Sequence, residues 1–290
     1  MDDKTAGRRG GWRLRAAASG AAVAVLLGGC SAGASERAAE PGAKASGSPT
    51  PSASASAQGS AEDEQAEDEQ AASTASATPF VADPDRVPRS GKQGAALAEA
   101  VVMRPRDWGA GFRAQSLARS APGTHAVLDE QCRWQRRALP DDVLASVSLY
   151  SELPGTGKRG TVKVTATVTV HTTVLGADDQ LSETLEEALR CPEQQVRADE
   201  RIAKLMSVGT PRGIRDNNYA DDSILENGAY LTGGGEVMYR WMVTRLGQVT
   251  VSVSLKGAAG YTVRELEPYV TRGTVTMLDR LGYELGGGEG

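Results

Sequence analysis

Residues 161–170 read TVKVTATVTV, and this stretch decides the fold of the chain. Valine or alanine occupies every second position, while threonine or lysine fills the positions between. Successive side chains of a β-strand point to opposite faces, so this period of two places the valines together on one face of a sheet. We therefore predict a strand with one buried face and a threonine face that can meet water.

A second alternating segment predicts an antiparallel hairpin. Residues 236–246 and 248–255 flank the short turn Leu246-Gly247, and valine or leucine fills every second position from Val249 to Leu255. So short a connection is typical of antiparallel neighbours. Residues 143–149 are also strand-like.

Three helices are predicted around these strands. They cover residues 92–103, residues 178–189 with Leu181, Leu185, Ala188 and Leu189 on one stripe, and a last helix that begins at Thr262. Thr262 and Glu265 form a capping box, Pro268 should kink the helix, and Gly282 should end it. We predict an α+β domain, with an antiparallel sheet and helices packed mainly on one face.

The N-terminus has the three parts of an export signal. A basic segment containing Arg8 and Arg9 precedes the apolar residues 16–27, which are too few to span a bilayer stably. Leu27-Gly28-Gly29-Cys30 follows and resembles the lipobox of bacterial lipoproteins, so we expect a lipid on Cys30. The alternative is an ordinary signal peptide with a chance cysteine. General secretion is favoured over twin-arginine export because Gly10-Gly11-Trp12 departs from the twin-arginine pattern.

Composition divides the chain into four predicted regions. Residues 1–29 are the signal peptide, and residues 30–84 are the lipidated cysteine and a disordered tether rich in Ser, Ala and Glu. The tether has too few large apolar side chains to form a core. Residues 85–285 form one α+β domain, and residues 286–290 a disordered tail. The protein is thus expected on the extracytoplasmic face of a cell membrane, with the membrane as a partner through its lipid.

Charge argues against one class of partner. The whole chain carries a formal net charge of -5, and removal of the basic export segment takes it to about -8. An acidic protein has no general attraction for nucleic acid. We expect no nucleic-acid partner.

Three cysteines leave one pair once Cys30 carries lipid. Cys132 and Cys191 would then lie in an oxidising compartment, where a structural disulfide is favoured. A redox pair or a metal site is the alternative, but the spacing is far from C-x-x-C and His125 and His171 are the only histidines. We expect no metal and no cofactor.

Several apparent motifs have simpler interpretations. Residues 155–160 match G-x-G-x-x-G, but a strand follows them where a dinucleotide site needs a helix, so we interpret them as a hairpin loop. Residues 216–222 resemble a calcium loop but lack its glycine and its final glutamate. His171 is interpreted as a surface residue and His125 as a loop residue, and no G-x-S-x-G nucleophile motif occurs.

Two arginine–tryptophan pairs are candidates for a ligand cleft. Cys132-Arg133-Trp134 and Tyr239-Arg240-Trp241 each place a cation beside an aromatic ring. Trp134, Arg240 and Trp241 are the candidate ligand-binding residues. Sheet packing is the alternative for both tryptophans, and neighbouring residues of a strand such as Arg240 and Trp241 cannot both face one pocket directly.

Residues 95–281 resemble the extracytoplasmic sensor domains of actinobacterial PknH-type Ser/Thr kinases and of free-standing lipoproteins. Residues 106–111 (RDWGAG), Cys132 near Trp134, residues 190–192 (RCP) and the hairpin at residues 239–255 carry the resemblance. It implies an α+β domain with an antiparallel sheet, a disulfide and a cleft for an unidentified ligand. PknH-type domains carry two disulfides, whereas this chain has cysteines for one.

These observations favour a non-enzymatic, membrane-anchored lipoprotein that binds or senses an unidentified small ligand or an envelope protein. An envelope structural or assembly lipoprotein that acts by protein–protein binding is the alternative. An extracytoplasmic hydrolase is a third hypothesis, against which the scarcity of histidine and the lack of a nucleophile motif argue.

Overall fold

The computed structural model describes residues 80–209 and 220–286. The predicted signal peptide, Cys30, and the tether as far as residue 79 lie outside the described residues. Positions 216–219 of the calcium-like loop and residues 287–290 of the tail also lie outside them.

Ten strands, three α-helices and one 3-10 turn make up the described chain. The helices are α1 (Gly91–Val101), α2 (Val174–Arg190) and α3 (Val263–Glu284), and the 3-10 turn is Pro105–Trp108. The strands are β1 (Arg113–Arg119), β2 (Thr124–Leu128), β3 (Trp134–Ala138), β4 (Val143–Leu153), β5 (Val162–His171), β6 (Gln194–Arg197), β7 (Glu200–Gly209), β8 (Asp222–Thr232), β9 (Gly235–Leu246) and β10 (Val249–Lys256).

Eight strands form one antiparallel sheet in the order β1-β4-β5-β10-β9-β8-β7-β6. Strands β2 and β3 form a separate two-stranded hairpin. The TVKVTATVTV strand is β5, near the middle of the sheet, and it pairs with β4 and β10. The predicted hairpin is β9–β10, and Gly247 in its turn has φ +58, a left-handed conformation that suits glycine.

The valine face of β5 lies in the main hydrophobic core, as its alternation predicted. Val164, Val168 and Val170 are fully buried there, and a leucine and two valines of β10 lie beside them in register. Helices α1 and α3 cover this face, and Trp108 packs between α3 and the sheet. The apolar surface of two neighbouring strands and two helices is thus removed from water in one cluster.

Helix α2 lies on the opposite face of the sheet, where it contacts β5, β7, β8, β9 and β10. A disulfide joins Cys132, just before β3, to Cys191, directly after α2. It ties the β2–β3 hairpin to the end of that helix. The predicted α+β class, antiparallel sheet, helices mainly on one face and single disulfide are confirmed.

Two details of the predicted helices are wrong. Leu185 and Leu189 do not belong to the buried stripe of α2, because Leu181 and Ala188 are buried whereas Leu189 is 85% exposed. Helix α3 continues past Gly282 to Glu284. The Thr262–Glu265 capping box is confirmed, and α3 includes Pro268 within its second turn.

The packing of α3 against Trp108 can be tested at two glycines of the same helix. A Cβ atom at Gly273 would lie 2.6 Å from the Trp108 ring, whereas a Cβ atom at Gly282 would meet no atom within 4 Å. Alanine favours a helix more than glycine does at both positions, so the difference in stability between the two variants reports the clash with Trp108. We expect Gly273→Ala to lower the free energy of unfolding by about 1 to 3 kcal/mol. Gly282→Ala should raise it by about 0.5 kcal/mol.

Urea denaturation of both variants checks this expectation. Equal stabilities for the two variants would contradict the close contact between α3 and Trp108.

Candidate functional site

A cavity of about 330 Å³ lies between the threonine face of the sheet, helix α2 and the β2–β3 hairpin. It forms because the alternation of β5 leaves a polar face, and α2 and the hairpin roof that face. Small-molecule sites of proteins begin at about this size.

Hydroxyl groups form the floor of the cavity. Three cross-strand rows run from β4 through β5 to β10, and each row places hydroxyl side chains side by side. The floor hydroxyls that line the cavity are Ser146, Ser148, Tyr150, Thr165, Thr167, Thr169, Ser252 and Ser254. Ser146 and Thr169 lie 3.1 Å apart through their hydroxyl oxygens, and the Thr167 hydroxyl donates to Ser148 at 3.0 Å. The face that was expected to meet water is therefore the floor of an internal site.

Helix α2 supplies the opposite wall through two rows with a spacing of four residues. Gly176, Gln180 and Thr184 form one row, and Asp179, Glu183 and Glu187 form the other. Residues four apart lie above one another on a helix, so the second row is a continuous stripe of carboxylates. None of the three has an ion-pair partner among the residues that the structure describes.

An aromatic pair borders the cavity, and it joins two of the three candidate ligand-binding residues. Trp134 of β3 and Trp241 of β9 line the cavity in an edge-to-face contact, with ring centroids 5.8 Å apart. The Trp134 indole N–H donates to Gln194 Oε1 at 2.8 Å, which fixes the ring.

Arg240, the third candidate, does not line the cavity. It lies on the other face of β9, where its Nε donates to Asn227 Oδ1 at 2.8 Å and its guanidinium pairs with Glu267 of α3. Alternation along the strand separates it from Trp241.

Both histidines differ from their sequence interpretation. His171 is 3% exposed and lines the cavity, and His125 lies in β2 and lines it too. His171 Nε2 lies 2.8 Å from Gln180 Oε1, which also accepts from the Thr250 hydroxyl at 2.7 Å. Because that oxygen accepts, Nε2 carries the proton and Nδ1 is left as an acceptor. Burial lowers the pKa of both histidines and favours their neutral forms.

A half-buried carboxyl group, Glu187, and a buried one, Glu226, lie close together at the aromatic end of the cavity. Burial, and then Glu183, raises the pKa of Glu187 to about 7. Burial, and then Glu187, raises the pKa of Glu226 to about 8. Glu226 is 1% exposed, and its Oε2 has no hydrogen-bond partner among the described residues. Glu226 pairs with Trp241 in the sheet register, so the two acids adjoin the aromatic pair.

A basic cluster lies next to the floor, one cross-strand row past Ser254, where Lys256 of β10 lies beside Lys163 of β5. Lys256 pairs with Glu200 at 3.6 Å, and Lys163 pairs with the same carboxylate at 3.2 Å. Burial lowers the pKa of Lys256 to about 8, and its Nζ lies 4.8 Å from the centre of the Tyr230 ring. Arg197 also pairs with Glu200, at 3.8 Å, so three cations share one carboxylate at this end of the cavity.

The two motif-like segments of the sequence have simple structural roles. Residues 155–160 form the loop between β4 and β5, as predicted, so no helix follows the G-x-G-x-x-G pattern. Asp221, from the calcium-like segment, accepts from the backbone of Phe80 and pairs with Arg245 at 3.1 Å. Residues 80–209 and 220–286 contain no cluster of acidic, histidine or cysteine side chains suited to a metal ion. No helix in the same ranges is long and apolar enough to cross a membrane.

The raised pKa of Glu226 predicts a pH-dependent stability. The folded protein keeps the Glu226 proton up to about pH 8, whereas the unfolded chain releases it near its ordinary pKa of 4.5, so the free energy of unfolding falls between those values as pH rises. Glu226→Gln lacks this titration. We expect its stability relative to the native protein to increase by about 4 kcal/mol from pH 5 to pH 8.5.

Urea denaturation at several pH values measures this difference. Glu187 of α2, Trp241 and Tyr239 of β9 and Ser207 of β7 face or adjoin Glu226, and all of them stay in place in the variant. Glu186→Gln, at an exposed position of α2, controls for the loss of a surface charge. A pH-independent difference between Glu226→Gln and the native protein would refute the interpretation.

Comparisons with known proteins give no family for this chain. No protein-family model matches it, and no curated protein matches it. A solved protein of unknown function from Pseudomonas aeruginosa is 12% identical, with a TM-score of 0.28, over 53% of this chain and 94% of that chain. An uncharacterised Mycobacterium smegmatis protein, an Rv0999 ortholog, is 9% identical, with a TM-score of 0.30, over 59% of this chain and 90% of that chain. Such low TM-scores carry no argument about fold or function.

Proposed function

We propose that this chain is an exported, lipid-anchored protein whose α+β domain binds a small ligand on the outer side of a cell membrane. The cavity between α2 and the hydroxyl-lined face of the sheet is the single observation that carries the proposal. Its polar floor, aromatic pair and carboxylate stripe supply the few directed polar groups and the apolar contact that small-molecule sites combine.

Binding is favoured over catalysis by the way the polar groups are paired. Ser146 and Ser148 lie at hydrogen-bond distance from Thr169 and Thr167 instead of a general base, and His171 Nε2 lies against Gln180. A serine nucleophile would need a histidine within hydrogen-bond reach. These contacts position side chains around a space, as a binding site requires.

A sensing role is part of the proposal and rests on the sequence. The resemblance to PknH-type sensor domains, carried by residues 106–111 and the cysteine–tryptophan segments, places a ligand cleft in a domain of this class. A signal from a lipid-anchored domain must pass to a partner protein in the membrane or envelope.

Filling the cavity tests the binding proposal. Ser252 lies in the central row of the floor, so Ser252→Phe should occupy the space and abolish ligand binding. Ser116→Phe makes the same change on exposed β1 and serves as the matched control. Mass spectrometry of small molecules released from the purified full-length proteins should find a ligand with the native chain and Ser116→Phe, and none with Ser252→Phe.

An identical set of molecules in all three preparations would overturn the assignment of the cavity as the binding site. Failure to find any bound molecule with the native chain would count against the binding function itself.

The lipid anchor has its own test at Cys30. The full-length protein should fractionate with membranes, and its N-terminal peptide should begin with a diacylglyceryl-modified Cys30. Cys30→Ala should release the mature protein from the membrane or leave its signal peptide uncleaved. A soluble native protein that begins at another residue would contradict the anchor.

A further inference from the structure

We propose that the ligand of the cavity is a linear organic amine with two or more ammonium groups. This inference rests on the proposed function and names the chemical class that the same site would accept.

The carboxylate stripe of α2 supplies the main argument. Asp179, Glu183 and Glu187 all line the cavity, and no cation pairs with them among the described residues. Like charges four residues apart on a helix repel one another. Their spacing along the helix is about 6 Å from each to the next. Ammonium groups joined by three or four methylenes match that spacing, so one extended amine can pair with successive carboxylates.

The cations of the cavity wall cannot neutralise this stripe. Arg136 donates through Nε to the Thr124 hydroxyl at 2.8 Å, and its Nη2 donates to the Thr124 carbonyl. Lys256 shares Glu200 with Lys163 and Arg197, and none of these cations pairs with the stripe. The α2 wall therefore offers a ligand negative charge, which matches a cation.

A second and independent observation is an unpartnered acceptor in the same wall. His171 is 3% exposed and lines the cavity, and its Nδ1 has no hydrogen-bond partner in the part of the chain that the structure describes. With the proton on Nε2, Nδ1 requires a donor. The hydroxyls of the floor also accept hydrogen bonds, so donors such as ammonium N–H groups find acceptors on both sides.

The aromatic pair suits the same ligand. Trp134 and Trp241 line the end of the cavity where the stripe finishes at Glu187. An ammonium group near a tryptophan face gains a cation–π attraction, which is strongest where water is excluded. A carboxylate and tryptophan rings thus offer one terminal ammonium group two kinds of favourable contact.

A neutral sugar fits the site less well. Its hydroxyls would pair with the serines and threonines of the floor, but they would leave the carboxylate stripe without a cation. Covering such carboxylates with a neutral ligand removes water and gives no opposite charge in return.

Calorimetric titration of the full-length, detergent-extracted protein with spermidine tests the proposal. We expect saturable binding that weakens as sodium chloride is raised, because salt screens the carboxylates. 1,8-Octanediol, a neutral chain of matched length, should not bind. Glu187→Gln and Glu183→Gln should each weaken spermidine binding about threefold to tenfold. Glu186→Gln, on the same helix but outside the cavity lining, should leave it unchanged.

Each contrary result has a defined meaning. Spermidine binding that is equal in Glu186→Gln, Glu187→Gln and Ser252→Phe would show that the amine binds elsewhere, and it would overturn the inference. A neutral sugar or another uncharged molecule that copurifies and is lost from Ser252→Phe would overturn the amine class while the binding function stands. If none of these tests finds a ligand in the cavity, both the amine class and the proposed binding function are overturned.

Discussion

The strict alternation of β5 is the constraint on which the rest of the structure depends. A period of two gives this strand one face of valines and one face of hydroxyls, and its neighbours β4 and β10 extend both faces in register. The valine face must be covered to remove it from water, and α1 and α3 cover it. The hydroxyl face has no such requirement. A helix can lie over it without packing into it, and that difference leaves room for a cavity on this side of the strands.

The cover of the hydroxyl face is held in place by contacts at both ends of α2. Gln180, near the start of α2, binds His171 and Thr250 of the sheet. At the other end, the Cys132–Cys191 disulfide joins the helix to the β2–β3 hairpin, and Arg190 donates to the Asp129 carbonyl at 3.1 Å. The two cysteines are 59 residues apart in sequence. On a chain-entropy account, closing a loop of that length stabilises the folded state by about 4 kcal/mol. The disulfide therefore stabilises the roof of the site, and with it the position of Trp134.

The sequence predicts what depends on local pattern, and it misses what depends on how distant elements meet. Alternation predicted β5 and the β9–β10 hairpin, and the Thr262–Glu265 pair predicted the start of α3, because each signal lies within a few residues. Strands β7 and β8 were not predicted, since their exposed and buried positions do not alternate cleanly. Trp134 and Trp241 were singled out by an adjacent arginine. Their shared place in one cavity follows from the tertiary structure, and Arg240 lies elsewhere.

The carboxylates in and beside the cavity were missed for a related reason, and the partial burial of Glu187 couples its charge to occupancy of the cavity. Nothing in the local sequence distinguishes Asp179, Glu183 and Glu187 of α2, or Glu226 of β8, from surface carboxylates. Only the packing of α2 over the sheet brings Glu187 near Glu226, where its charge adds to the burial that raises the pKa of Glu226. A cation in the cavity favours the ionised form of Glu187, so its binding must release protons near neutral pH. By the same linkage, the cation stabilises the folded state most where the empty site is least stable, on the alkaline side of the pKa of Glu187.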